Sequence, residues 1–168
     1  MTGALRAWAA TGLLLAGVAG CGSSGPAAPA NKQENGRNEG TLELQTIVQQ
    51  SNPGQGGETV REVVRDEATW RALWAQLREG SALSEEPPAV DFAREMVAVA
   101  AMETQACVSR VTIRSASRNG NELVFDVLEA PPAPNCTCIT SERPIHVVRL
   151  PKVDAAERFT VERGQTSC

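Results

Sequence analysis

The chain has no tyrosine, three Trp, three Phe and a single His. With so few aromatic rings, a core has to be filled by Val, Leu, Ile and Ala. Blocks of like charge are also missing: 16 Lys and Arg stand against 20 Asp and Glu, a formal charge of −4 spread along 168 residues. Nucleic-acid surfaces need clustered Lys and Arg to neutralise phosphates, so that class of partner is excluded. No Gly-x-Ser-x-Gly, His-Glu-x-x-His or phosphate-binding loop occurs, and no pattern assembles a nucleophile, a base and oxyanion donors. The expectation is a protein that is not an enzyme and carries no cofactor. One stretch is apolar enough to meet a bilayer. It lies at the extreme N-terminus and falls short of the roughly 20 helical residues that span a hydrocarbon core. Apolar residues at 42% and charged ones at 21% are ordinary values for a globular domain, and the length suits one domain with a tail.

Residues 1–20 have the parts of a secretory signal: Arg6 and the amine give a positive start, Ala7 to Ala19 form an apolar run, and small residues lead to Cys21. Val18-Ala19-Gly20-Cys21 resembles the bacterial lipobox, an aliphatic and two small residues before the cysteine that becomes the new N-terminus. The resemblance implies cleavage before Cys21, a thioether-linked diacylglycerol on its sulfur and an acylated amine, and two or three such chains hold a protein on a membrane stably. No Arg pair marks a twin-arginine signal, and Gly22 at the second mature position resembles proteins sent to the periplasmic side of the outer membrane in cells with two membranes. Residues 22–40 contain no Val, Leu, Ile or aromatic and are expected to form a disordered tether. Its root-mean-square reach is about 25 Å.

Residues 41–168 read as one α+β domain. Alternation over Leu42–Val48 predicts a strand, and Val60–Arg65 a second short one. Asp66 stands where an N-cap belongs, Trp70, Leu73, Trp74 and Leu77 recur at helical spacing, and Gly80 supplies a stop. Two Trp on one stripe read as core packing rather than a ligand platform. Met96–Met102 is a continuous apolar run, the mark of a strand buried on both faces. Arg110–Arg114 and Glu122–Val127 alternate around Asn119-Gly120 and predict a hairpin with a type I′ turn. Ile145–Leu150 ends at Pro151, and Phe159–Arg163 adds a last strand. About six strands and one amphipathic helix give an antiparallel sheet, curved or sandwiched, with the helix on one side.

Four cysteines remain beyond Cys21: Cys107, Cys136, Cys138 and Cys168. An even number in an exported domain reads as disulfides. A bridge between Cys136 and Cys138 would be strained, because residues two apart on a strand have Cα atoms near the upper limit for bonding. Cys107 then takes one of them and Cys168 the other. Cys107–Cys138 with Cys136–Cys168 is preferred, and the exchanged pairing stays open. A zinc site from Cys107, Cys136, Cys138 and His146 has suitable ligand types, but Cys-x-Cys spacing is tighter than usual and an oxidising compartment favours disulfides. No metal is expected. His146 shares a strand face with Val148 and Leu150 and reads as a structural histidine. Glu85 and Glu86 read as solvated loop charge.

Trp70-Arg71-Ala72-Leu73-Trp74, Val90-Asp91-Phe92-Ala93-Arg94-Glu95-Met96-Val97, Asn121-Glu122-Leu123-Val124-Phe125 and Pro144-Ile145-His146-Val147-Val148-Arg149-Leu150-Pro151 together resemble the PrcB family. That family is named for a lipoprotein that stabilises a secreted subtilisin-like protease. Many members read Gly-Gly-Tyr shortly after the central buried strand, where this chain has Gln105-Ala106-Cys107. The resemblance implies a non-catalytic lipoprotein that binds another exported protein, a protease among the candidates. The alternatives are a structural or carbohydrate-facing envelope lipoprotein and, third, a metal-binding one.

Overall fold

In a computed structural model, residues 40–53 and 56–168 are described. The expected signal, Cys21 and the expected tether up to residue 39 lie outside the described residues. Nine strands and one helix follow in order: β1 (Gly40–Leu42), β2 (Gln45–Pro53), β3 (Val60–Val64), α1 (Glu67–Arg78), β4 (Glu95–Ala101), β5 (Gln105–Ala106), β6 (Arg110–Asn119), β7 (Glu122–Ala130), β8 (Ser141–Pro151) and β9 (Ala156–Arg163). They form two sheets, β1-β6-β7-β9 and β2-β8-β4-β3, with the short β5 paired to the start of β8. The arrangement is an α+β sandwich with a single helix.

β4 explains the layering. Its even residues, Met96, Ala98 and Ala100, face the other sheet and pack with Val111, Ile113, Leu123, Phe125, Val127, Val148 and Leu150. Its odd residues, Val97, Val99 and Ala101, face the helix and pack with Trp70, Leu73, Trp74, Leu77, Ile145 and Val147. A strand with an apolar layer on each side has no polar face, so its sequence shows no alternation.

α1 forms where its signals lie. The Thr69 N–H donates to Asp66 Oδ1 at 2.8 Å, satisfying one of the helix's orphan donors. Gly80, at φ +67°, takes the left-handed conformation just past the end. The two buried indoles each keep a polar partner: Trp70 Nε1 donates to the Pro88 carbonyl and Trp74 Nε1 to the Ser84 carbonyl, both at 3.0 Å. These bonds tie the segment after the helix back onto it.

The structure departs from the sequence reading at four places. The expected strand Leu42–Val48 breaks at Glu43-Leu44, and its halves join different sheets. β8 begins at Ser141, because the stretch before Ile145 pairs with the far end of β2 and with β5. β9 begins at Ala156 and runs parallel to β7, with the rings of Phe125 and Phe159 stacked 4.8 Å apart. β8 carries the chain back along the other sheet, so β9 leaves in the direction of β7. In the hairpin, Asn119 pairs with Glu122 and the turn residues are Gly120-Asn121. Among them Gly120 alone has positive φ, +60°, the pattern of a type II′ turn rather than I′.

Trp74→Ala is expected to cost about 3–5 kcal/mol, the range for emptying a buried indole site, and Arg78→Ala on the exposed face about 0.5 kcal/mol or less. Urea unfolding of the two variants checks the difference. Equal effects would mean that α1 does not carry the second core.

Candidate functional site

Two disulfides gather one end of the sandwich. Cys107 is bonded to Cys138, with Cα atoms 5.2 Å apart, and Cys136 to Cys168, with Cα atoms 5.5 Å apart. Strain excluded only a Cys136–Cys138 bridge, and of the two pairings then left open the structure has this one. Cys107 enters its bridge at φ +69°, the one positive φ at a described residue other than glycine. Hydrogen bonds hold the segment Pro131–Thr140 on both flanks. The Cys107 N–H donates to the Thr140 carbonyl at 3.1 Å, and the Ala133 N–H to the Thr166 carbonyl at 3.2 Å. In return the Thr166 N–H donates to the Pro131 carbonyl at 2.9 Å, and the Thr166 hydroxyl to the Val108 carbonyl at 2.6 Å. Each bridge contributes roughly 2–4 kcal/mol, mainly by restricting the unfolded chain. Closing the last residue into the structure also prevents the C-terminal segment from fraying.

The stapled end presents apolar surface. Among the described residues, the large hydrophobics left exposed are Val108, at 59% of its full accessibility, and Ile139, at 104%. Each follows a cysteine of the same bridge, so the Cys107–Cys138 bond brings two segments distant in sequence into one surface. Beside Val108 opens a cavity of about 340 Å³ between β2 and the start of β6. Ser51 and Ser109 stand on its wall, and their hydroxyls are shut off from solvent without a hydrogen-bond partner. An unsatisfied buried hydroxyl costs about 1–3 kcal/mol.

His146 lies close by and does structural work. Its Nδ1 accepts from the Ile113 N–H at 2.8 Å, and its Nε2 sits 3.0 Å from the Thr46 hydroxyl. With Nδ1 accepting, the ring proton belongs on Nε2 and is donated to Thr46. The contact spans the two sheets at the irregularity of β6 between Ile113 and Ser115. Burial pushes the His146 pKa down, because the charged ring would be stranded away from water.

The residues of the zinc alternative do not converge. All four cysteines are spent in disulfides and both ring nitrogens of His146 are engaged. Among the described residues no group of three or more His, Cys, Asp or Glu could hold a metal. Glu85 and Glu86 are exposed loop charge, as expected, and Glu86 also accepts from Arg71 Nη1 at 3.2 Å across the surface.

Arg143 is buried on β8. It donates from Nη2 to the Glu58 carbonyl at 2.9 Å, and burial pulls its pKa down. Gly57 crosses directly over that guanidinium, where a Cβ would lie 2.4 Å from Cζ. Glu129 is also buried and takes Arg61 as its ion-pair partner between the sheets. Nothing local in the sequence marks Ser109, Arg143 or Glu129, since their environments are built by segments far apart in the chain.

The sign of the His146 effect follows from its depressed pKa. Unfolded chains take up the proton near the ordinary value of 6.5, while the folded ring resists it and cannot keep accepting from Ile113 once charged. The native state is therefore at full advantage above that pH and loses stability as pH falls below it. Thermal melts from pH 7.5 to 5 should show a steeper decline for the native protein than for His146→Gln, which does not titrate. Parallel curves would show that the folded ring takes up its proton as readily as the unfolded one and is therefore solvated. Compared with known proteins, the chain matches no family model, and neither a curated protein nor a solved structure matches it.

Proposed function

We propose that this chain is a non-catalytic bacterial lipoprotein, anchored through Cys21, that acts by binding another exported protein. The observation that carries the reading is the exposed pair Val108 and Ile139, held on a doubly stapled end of the domain. Exposed apolar side chains on a rigid frame suit recognition, because little side-chain or loop entropy is lost when a partner covers them. The two segments that carry them are tied covalently and by backbone hydrogen bonds on both flanks. The resemblance to the PrcB family adds the class of partner: a secreted protease whose folded form the lipoprotein stabilises. Anchoring by acyl chains on Cys21 would keep the domain near the membrane face of the cell envelope.

Pull-downs from the producing cell's membranes test this, with the native lipoprotein and the Val108→Asp/Ile139→Asp variant as baits. Both substitutions fall on exposed side chains and should leave the melting temperature within a degree or two. The native bait should recover one exported protein in near-equal amount, and the variant at least tenfold less. Equal recovery by both baits, or recovery of nothing above background by either, would contradict the proposal.

A further inference from the structure

β6 is only partly covered. Among the described residues β1 pairs with it at Ala116–Arg118 and stops there, so the outer edge from Arg110 to Ser115 has no strand hydrogen-bonded to it, and Gln49 of β2 reaches that edge by donating to the Thr112 hydroxyl at 3.1 Å. One of the backbone donors on that stretch, the Ile113 N–H, is met by the side chain of His146 instead of by a neighbouring strand. β2 is itself the edge of the other sheet. The cavity of about 340 Å³ is a short groove between these two strand edges, lined by Gln49–Ser51 and Val108–Val111 and closed at its inner end where Gln49 bonds Thr112 and His146 bonds Ile113.

We infer that this groove seats an extended, acid-bearing segment of the bound partner; the inference rests on the protein-binding role proposed above. Three features of the wall point to that occupant. Ser109 is 3% exposed and, like Ser51, has a hydroxyl without a partner. Such groups are normally satisfied; both hydroxyls lie just beneath the surface of the wall, and a small outward turn of either serine would bring it to the carbonyls and side-chain oxygens of an inserted strand. Arg110 is the one charged residue on the lining, with no carboxylate there to balance it. Among the described residues it belongs to no ion pair, so the unbalanced charge favours an acidic visitor. Val108 borders both the cavity and the exposed apolar surface. A strand lying in the groove would thus put alternate side chains on the apolar side and on the Arg110 side, the usual division of labour when a peptide adds to a sheet edge.

Two capped hexapeptides, one alternating Val with Asp and one alternating Val with Lys, serve as probes against the ¹⁵N-labelled protein. The Asp peptide is expected to shift the amides of Ser51, Ser109 and Arg110 saturably and to bind at least tenfold more tightly than the Lys peptide. Arg110→Glu should invert that order. Ser109→Ala should weaken the Asp peptide several-fold while leaving the melting temperature unchanged or higher, since it removes an unsatisfied hydroxyl; a purely structural serine would lower it. Equal binding of the two peptides, shifts confined to other surfaces, or the same shifts with acetate alone would overturn the inference. The pull-down separates the two ideas. If Arg110→Glu retains the partner that Val108→Asp/Ile139→Asp loses, the groove assignment fails and the protein-binding role stands. If no bait recovers a partner, the role itself fails.

Discussion

β4 from Met96 to Ala101 and β8 from Arg143 to Val148 are buried on both faces, and the remainder of the molecule is arranged to keep them so. Met96, Val97, Ala98 and Val99 are completely buried, as are Val147 and Val148 opposite them in β8. Covering one side of such a sheet requires a second sheet, and covering the other requires α1 with its two indoles. Small residues at Ala98, Ala100 and Ala101 let the layers approach closely, and the larger rings sit at the outer layers: Phe125 in the second sheet, Trp70 and Trp74 in the helix. Because transfer of apolar surface from water is the dominant favourable term in folding, these two strands hold most of what the fold has to lose.

A domain with its stability invested in the middle can use its ends for other purposes. The Cys107–Cys138 and Cys136–Cys168 bonds lie at one of those ends, away from both cores apart from the buried Cys107. They fix segments that have little apolar surface of their own to hold them, Pro131–Thr140 and the last residues. The polar bridges are spread differently. His146 reaches from β8 to β6, and Glu129 on β7 takes Arg61 on β3, so each side of the sandwich has a buried polar contact that sets how the sheets lie on one another. Such groups are costly unless paired, which makes them effective at rejecting a shifted arrangement.

Much of this was legible in the residue order, and the legible parts share a reason: their causes are local. Met96–Met102 reads as a two-faced strand because burial on both sides forbids polar residues along it. Asp66, Trp70 to Leu77 and Gly80 read as a helix because cap, stripe and stop all lie within fifteen residues of each other. The strain of closing Cys136 on Cys138 left two disulfide pairings, and the choice between them rests on the folded chain. What stayed hidden depends on long-range assembly. Glu43-Leu44 carries no turn residue, and only the two sheets show that the chain must change layer there. Ser141-Glu142-Arg143-Pro144 has the composition of a loop, and its role as strand appears only once β2 and β5 flank it. The cavity under Val108 is made by β2, β6 and β8 together, so neither Ser51 nor Ser109 could be singled out from its neighbours in sequence.

The central claim is that β4 and β8 carry the fold while the Cys107–Cys138 bond shapes only the stapled end. Native-state hydrogen exchange on the Cys107→Ala/Cys138→Ala protein tests it directly. The account expects the amides of Val97, Val99 and Val147 to remain the slowest, exchanging only through global unfolding, while those of residue 107, Ala133 and Cys136, which are bonded at the stapled end, lose most of their protection. If the β4 and β8 amides fell to the level of the stapled end, the bridge would be holding the sandwich itself and the division between frame and binding surface would be wrong.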